Sequence, residues 1–452
     1  MNSNRPLWRP EEIRAVFGCE NFKVEIEGIS IDSRSTVQND LFIALSGDPG
    51  PRFGGGDRDA LDGHDFVGSA VENGAASVMV HRDLESSVAS ILVEDTLAGL
   101  WQLGAAARKR CSGKIVAITG SSGKTTMRYW LESVLQSIAP THASVGSLNN
   151  HWGLPLSLSR MPSGCAYGVF EIGTNHEGEI APLAELASPD VALVLNVLPA
   201  HIGNFKDMVA LRTEKLSIKH GLVENDGVLI LPVELARFAN HQQTITFGIS
   251  PDADVSSVLN DSTLLDIDVC GEKIECRVPF VGKERVESIL ALFAVLKALD
   301  IKSSIAAQRV GTLELPEGRG NRVTVGGIVV VDDSYNANPV SMAMSLTALQ
   351  QSGKGKKIAL LGEMLELGET SLDAHRQISR LCMDLDEVIS FGEGFKGVSF
   401  ECNHRHIRDV AVFDLDEFPK HLNPGDTVLV KGSNKVFWKN GFVNDLVKRL
   451  AR

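Results

Sequence analysis

Ile115-Val-Ala-Ile-Thr-Gly120-Ser-Ser-Gly123-Lys124-Thr125-Thr126 is the stretch from which the fold can be read. Its first residues are apolar and largely β-branched, the composition of a buried strand. Gly-Ser-Ser-Gly then makes a small-residue turn, and a helix is expected from Lys124 onward. Glycines allow backbone N–H groups to converge on a phosphate, the helix N-terminus adds its dipole, and the lysine adds a mobile positive charge. A hydroxyl directly after the lysine suits a Mg²⁺ ion bridging the phosphates. Gly120, Ser121, Ser122, Gly123, Lys124, Thr125 and Thr126 are therefore the candidate ligands of a nucleotide. The spacing is GxxGKT, shorter than the usual GxxxxGKT, which narrows the match to a subset of ATP users.

Outward from this point, strands alternate with helices. A helical stretch, Thr96–Arg110, leads into the strand Lys114–Thr119. Beyond it come apolar runs at Tyr167–Glu171, Val191–Val197 and Gly227–Leu231, and a helix near Arg285–Leu299. That alternation implies a parallel sheet covered on both faces. It restarts with Ile328–Asp332, Lys357–Leu361, Glu387–Phe391 and Thr427–Val430, a second α/β unit with its own sheet. The first block has only short β-type runs, Val24–Ile31, Leu41–Leu45 and Ser77–Val80, and a loop rich in Gly, Pro and Asp from Gly47 to Gly63. Such a loop cannot form a core and reads as a surface or binding segment. The expected domains are thus 1–95, 96–313 and 314–452, which agrees with 452 residues at about 150 per domain.

Composition removes several classes of function. The chain is 43% hydrophobic and 22% charged, the balance of a soluble globular protein. Its net charge of −13 argues against a nucleic-acid binder working through a general basic field. The opening residues MNSNRPLWRPEEIRAVF lack the apolar core of a secretory signal. The greasiest run, Val191–Leu198, is eight residues long and contains an Asn, so it fits a buried strand and not a membrane span. Seven scattered cysteines without a CxxC pair point to a reduced compartment, and the expected location is the cytoplasm. Cys402-Asn-His404-Arg-His406 matches no common zinc spacing and reads as a polar loop.

In an open parallel sheet, ligands collect at the carboxyl ends of the strands. Glu171 ends one apolar run and His201 lies just beyond another. Each residue alone is more often structural or merely solvated. Converging, they would suit a second divalent ion.

Several motifs in fixed order now carry a resemblance. Thr119–Thr126 (TGSSGKTT), Asn149-Asn-His-Trp-Gly-Leu-Pro155, Phe170-Glu-Ile-Gly-Thr-Asn175 with Gly178-Glu-Ile180, and Asp332-Asp-Ser-Tyr-Asn-Ala-Asn-Pro339 together resemble the Mur ligases. Asp32-Ser-Arg34, Asp62-Gly-His64, Gly318-Arg-Gly320 and Leu361-Gly-Glu-Met-Leu-Glu-Leu-Gly368 extend the resemblance over nearly the whole chain. Within that family the set is most similar to the members that add a dipeptide. The resemblance implies a small mixed α/β N-terminal domain that grips a UDP-sugar peptide, a central P-loop-type ATPase domain with a parallel sheet, and a C-terminal Rossmann-like domain for the incoming dipeptide.

It also implies a reaction. ATP phosphorylates the free carboxylate of UDP-N-acetylmuramoyl-tripeptide, and the amine of D-alanyl-D-alanine displaces phosphate from the acyl phosphate. This is the last cytoplasmic step toward the peptidoglycan precursor, and so serves cell-wall biogenesis, cell shape and division. Two anions must meet, and at about 4 Å and an effective dielectric near 20 they repel by about 4 kcal/mol per unit-charge pair. A lysine and two Mg²⁺ ions are a sufficient answer.

By position, the resemblance gives Lys124 to the β- and γ-phosphates and Thr125, Glu171 and His201 to Mg²⁺. Lys215 matches a lysine carried as a carbamate, which would bind or orient the second ion. Arg319 matches a cation that reaches ATP from across the interdomain cleft. Asp333 is expected at the ribose, with Asn336 beside it. Ser33, Arg34, Asp62, His64 and Asn150 fall in the substrate motifs, and Lys431, with the amides of the turn Lys431-Gly-Ser433, is expected to receive the dipeptide's carboxylate.

Two departures touch adenine and ribose recognition. Gly282-Lys-Glu284-Arg285-Val-Glu-Ser288 stands where the family often has G-x-H-N-x-x-N, and Pro232-Val-Glu234 where it often has an Asn-Asp loop. Other readings are a Mur-type ligase adding a single amino acid, or a catalytically silent nucleotide-binding paralogue. A P-loop motor would need a Walker-B Asp and switch loops that the sequence does not display. Small-molecule substrates, no nucleic acid, no membrane and a monomer are the expected partners and state.

Overall fold

The structure is a computed structural model describing residues 6–46, 61–146, 148–199, 204–224, 226–258, 263–279, 282–365 and 367–451. Among them, runs of aliphatic residues assemble three sheets. The first contains β1 (Gly28–Ser30), β2 (Asp40–Ile43), β3 (Ser77–Val80) and β4 (Ala89–Leu92), all parallel and in chain order.

The second sheet has nine strands: β5 (Lys114–Thr119), β6 (Thr141–Ala143), β7 (Tyr167–Glu171), β8 (Val191–Val194), β9 (Val228–Pro232), β10 (Thr244–Gly248), β11 (Val255–Ser257), β12 (Leu264–Val269) and β13 (Glu272–Arg277). Their spatial order is β13-β12-β11-β10-β9-β8-β5-β7-β6. The third contains β14 (Asn321–Val325), β15 (Ile328–Asp333), β16 (Lys357–Gly362), β17 (Glu387–Phe391), β18 (His404–Ile407) and β19 (Thr427–Lys431), in the order β14-β15-β19-β16-β17-β18.

The α/β class and the expected apolar strands are present, with one correction. The central sheet is parallel only from β6 to β11; β12 and β13 extend it as an antiparallel hairpin. Their connection is Cys270-Gly271, both at positive φ (53° and 88°), the backbone of a tight two-residue hairpin turn. Similarly, β14 pairs antiparallel with β15 at the border of the third sheet.

The first and second blocks are joined by a shared core. Contacts divide the chain into two compact units, one ending at Leu313 and the other beginning at Glu314. No unit boundary falls near residue 95. Leu100, Leu103 and Ala107 of the helix Thr96–Arg110 share a core with Ile29, Leu41, Ile43 and Met79 of the first sheet. Four short strands offer too little apolar area to form a core alone, and this helix supplies the missing face. Trp8 adds to the seam, donating from Nε1 to the carbonyl of Ser159 at 2.9 Å while the Arg110 guanidinium lies 3.6 Å over its ring.

In the C-terminal unit, strand residues alternate between two cores. Ala359, Leu361, Val388 and Leu429 face one side, and Ile358, Leu360, Ile389, Val428 and Val430 the other. That alternation is the period of a strand buried on both faces. All seven cysteines are free. Among the described residues, no helix is long and apolar enough to cross a membrane.

Candidate active site

The phosphate loop follows β5, which lies between β7 and β8. Gly123 starts the helix Lys124–Gln136 at φ +81°, and a Cβ there would come within 2.8 Å of Leu195 Cδ2. Backbone conformation and space both demand glycine. The loop is braced by Asn196, whose part the sequence did not disclose. The N–H groups of Ser121 and Ser122 each donate to Asn196 Oδ1 at 3.0 Å, and Asn196 Nδ2 donates to Ser122 O at 3.2 Å. Two loop amides are thus satisfied by one side-chain oxygen, which fixes the shape of the turn. Lys124 Nζ donates to Gly120 O at 2.7 Å, so the cation lies along the same loop. Thr126 is buried in the first turn of the helix.

Glu171 terminates β7 and is 0% exposed. Thr125 Oγ1 donates to its Oε2 at 3.2 Å, so hydroxyl and carboxylate are brought together. Its other oxygen, Oε1, accepts from Arg128 Nε at 3.1 Å, and Arg128 in turn pairs with Glu132 at 2.7 Å. Arg128 was not singled out in the sequence. Its one signal is its place a single helical turn after Lys124, on the face that meets β7. Holding Oε1 leaves Oε2 aimed at Thr125. A carboxylate oxygen beside a hydroxyl is a hard donor pair of the kind Mg²⁺ takes, its other positions filled by water and substrate phosphates. The pair therefore fits such an ion. His201 lies outside the described residues.

Lys215 lies in the last turn of the helix Met208–Leu216 and is only 4% exposed. Burial, reinforced by the charge of Lys124, pushes its ammonium down to about 7, with Glu214 opposing. Glu214 is itself committed elsewhere. Its two oxygens accept from the N–H groups of Gly178 and Ile180 at 2.8 and 2.7 Å, tying Lys215's helix to the start of the helix Ile180–Ala187.

The substrate motifs of the first sheet divide. Ser33 is buried and its carbonyl accepts from Asn73 Nδ2. Arg34 is 88% exposed and pairs with Asp32 at 2.7 Å. Asp62 accepts from Arg82 at 2.9 Å and contacts His64 Nδ1 at 2.6 Å. His64 Nε2 accepts from the His81 N–H at 3.1 Å, so the Nδ1 proton faces Asp62 and both ring nitrogens are occupied. Here the expectation needs correction: His64 has no exposed side-chain surface and acts by holding Asp62. Asn150 is exposed, and its Oδ1 caps Trp152 and Gly153. The segment 47–60, expected to bind or cover substrate, lies outside the described residues.

In the C-terminal unit the Gly318-Arg-Gly320 turn is hydrogen-bonded to the Asp332–Tyr335 segment. Gly320 N–H donates to Asp332 O at 2.7 Å and Tyr335 N–H to Gly318 O at 3.1 Å. The Arg319 guanidinium lies 4.2 Å over the Tyr335 ring. Asp333 Oδ2 accepts from Ser345 Oγ at 2.5 Å and from Lys431 Nζ at 2.7 Å, and Lys431 also reaches Asn336 O at 3.2 Å. Lys431 is 2% exposed, and the Ser433 amide donates to Glu363 O. This corrects the expectation for that turn. Its cation orients Asp333, and one of its amides is spent inside the fold. Asn336 is exposed beside the pair.

The departures near the adenine motif surround Glu287. Burial pushes its carboxyl up, Lys283 opposes, and Glu234 and Glu284 add to the rise.

Comparison with known proteins gives a consistent result. Residues 118–296 match the model of the Mur ligase middle domain, and residues 318–434 that of the Mur ligase glutamate ligase domain. UDP-N-acetylmuramoyl-tripeptide–D-alanyl-D-alanine ligase of Haemophilus influenzae is 31% identical over 93% of this chain and 93% of its own. The enzyme of the same name from Bacillus subtilis is 32% identical over 81% and 80%. Among solved structures, MurF from Acinetobacter baumannii superposes with a TM-score of 0.83, at 28% identity, over 98% of this chain and 99% of the other. MurF from Thermotoga maritima in complex with ADP gives 0.78, at 27% identity, over 94% and 97%.

Proposed function

The chain belongs to the Mur ligase family, and we propose that it joins D-alanyl-D-alanine to UDP-N-acetylmuramoyl-tripeptide at the expense of ATP. The observation that carries this reading is end-to-end similarity to ligases of that one name, together with a phosphate loop whose Thr125 touches a buried glutamate. A carboxylate oxygen of the tripeptide attacks the γ-phosphorus and ADP leaves. The dipeptide nitrogen then attacks the acyl carbon, phosphate departs, and the amine loses its proton.

Each residue has a distinct task. Lys124 and the start of the helix it opens bind the phosphate chain, on a loop that Asn196 holds in register. Thr125, Glu171 and His201 would hold Mg²⁺. When bound, the ion neutralises phosphate charge and aligns the γ-phosphoryl group. Arg319 contributes a guanidinium to the nucleotide, and Asp333, fixed through Oδ2 by Lys431 and Ser345, offers its Oδ1 to the ribose. Arg34 and Asp62 face the sugar nucleotide, with Asn150 at the peptide. Lys215 carries a carbamate, supported by its enclosure beside Lys124, which favours the neutral amine that combines with carbon dioxide. Residues 1–95, 96–313 and 314–452 serve UDP-sugar peptide, ATP and dipeptide respectively. The enzyme works as a cytoplasmic monomer.

The test is phosphate release from ATP with purified protein, omitting one substrate at a time. Release should require ATP, the UDP-tripeptide and the dipeptide together. Release without the dipeptide, or equal release with a single amino acid, overturns the assignment. Lys215→Ala should abolish most turnover and regain part of it with a short carboxylic acid; unchanged turnover removes the carbamate.

A further inference from the structure

Arg319 is held in a way that its assignment alone does not explain. The guanidinium lies 4.2 Å over the centre of the Tyr335 ring, and Tyr335 meets Trp438 edge to face, 5.4 Å between centroids at 65°. The turn carrying Arg319 is built to reach this stack. Gly318 has φ +69°, and a Cβ on it would fall 2.8 Å from two atoms of the Trp438 ring and 3.0 Å from Tyr335 Cβ. Backbone bonds from Tyr335 to Gly318 and from Gly320 to Asp332 lock turn and strand end together. Trp438 arrives from the short 3-10 turn Trp438–Asn440, and Phe437 before it is fully buried in the core of the unit. Each member of the corner is thus fixed from behind.

We propose that Tyr335, backed by Trp438, is the positioning residue that sets Arg319 for the nucleotide. The inference rests on the ligase reading and adds to it. A guanidinium is planar, its N–H donors lie in that plane, and its faces carry none. Stacking one face on an aromatic ring therefore occupies no donor, while it restricts a side chain that otherwise has about 2 kcal/mol of rotamer entropy to lose on binding. The ring's negative face attracts the cation as well. A flexible surface arginine would have to be ordered by each incoming nucleotide, whereas this one is ordered beforehand. The edge of Trp438 against Tyr335 prevents the ring from swinging away with the cation when a phosphate competes for it.

The experiment is a double-mutant cycle between Tyr335→Leu and Arg319→Met, read as kcat/KM for ATP in the full ligase reaction. Tyr335→Leu should lower kcat/KM for ATP about three- to tenfold, as expected for losing one cation–π contact and its ordering. KM for the UDP-tripeptide and for the dipeptide should stay within about twofold. Tyr335→Phe, which keeps the ring, should behave as the wild type, and Trp438→Phe should fall between the two. In the Arg319→Met background, Tyr335→Leu should have almost no further effect. Independent, multiplicative effects overturn the proposal, as does a Phe variant as poor as the Leu variant. Equal loss for all three substrates identifies a merely structural role and overturns it too. ATP affinity by calorimetry runs the same cycle without turnover. If the wild type lacks ligase activity, the ligase reading fails alone, while coupling in ATP binding still upholds or overturns the role of Tyr335.

Discussion

Replacing Lys431 by Met separates two roles for that lysine. The side chain is 2% exposed and its Nζ lies 2.7 Å from Asp333, whose own side chain retains 19% exposure. Methionine preserves the apolar stem and removes only the charge. Breaking a buried ion pair by deleting one partner costs about 3–5 kcal/mol, chiefly through the charge left behind. Asp333 keeps the hydrogen bond from Ser345 and some water, so the expected loss is about 2–3 kcal/mol. Native-state amide exchange of β15 and β19 measures it within the C-terminal unit, where a whole-chain melt would blend the two units. Adding Asp333→Asn to Lys431→Met should recover more than half, because no carboxylate then remains unpaired. In turnover, Lys431→Met should raise KM for ATP more than KM for the dipeptide. A stability loss under about 1 kcal/mol, combined with a rise confined to the dipeptide KM, would refute the pairing argument. That outcome would return Lys431 to the dipeptide's carboxylate.

Asn196→Ala should weaken ATP binding about five- to tenfold by calorimetry, because the Ser121 and Ser122 amides lose the oxygen that holds them in register; unchanged affinity would show that the loop needs no brace. Gly318→Ala should cost about 1–3 kcal/mol in thermal unfolding and lower kcat/KM for ATP, since a left-handed backbone and a 2.8 Å approach to Trp438 are both violated. A silent substitution there would mean that the turn relaxes freely. Burial holds His142 and His375 below the usual imidazole value, so both resist protonation in the folded protein. As pH falls below about 6.5, the unfolded chain binds protons that the folded chain resists, and stability should fall. In urea titrations between pH 7 and 5, His375→Gln should flatten that slope; an identical slope would remove His375 as a contributor.

Much of this was legible in the sequence because it is local. Strand β5, the turn and the helix from Lys124 lie within consecutive residues, and the chemistry of Gly, Lys and Thr is stated at the spot where it acts. The hairpin β12–β13 is hard to read from the sequence because acidic and basic residues alternate with its apolar ones, which hides a strand at the sheet margin. Arg128 and Asn196 were missed for a different reason. Their partners lie 43 and 74 or 75 residues away, a distance that only the packed sheet closes. Lys431 pairs with Asp333, 98 residues away, which no local motif discloses. His64 carries its motif correctly, while enclosure changes what the ring can touch.

The hairpin has a bearing on how the protein behaves in concentrated solution. β13 closes one margin of the nine-stranded sheet, and a margin of unpaired amides and carbonyls is a template onto which another chain can zip. Lys273, Glu275 and Arg277 all project from β13 exposed and on one face. A stranger's strand laid alongside would have to set its own side chains against this row of alternating charge, and few sequences match it. Replacing the three by Thr, Val and Thr would leave the ATP site untouched and turn a silent border into an adhesive one.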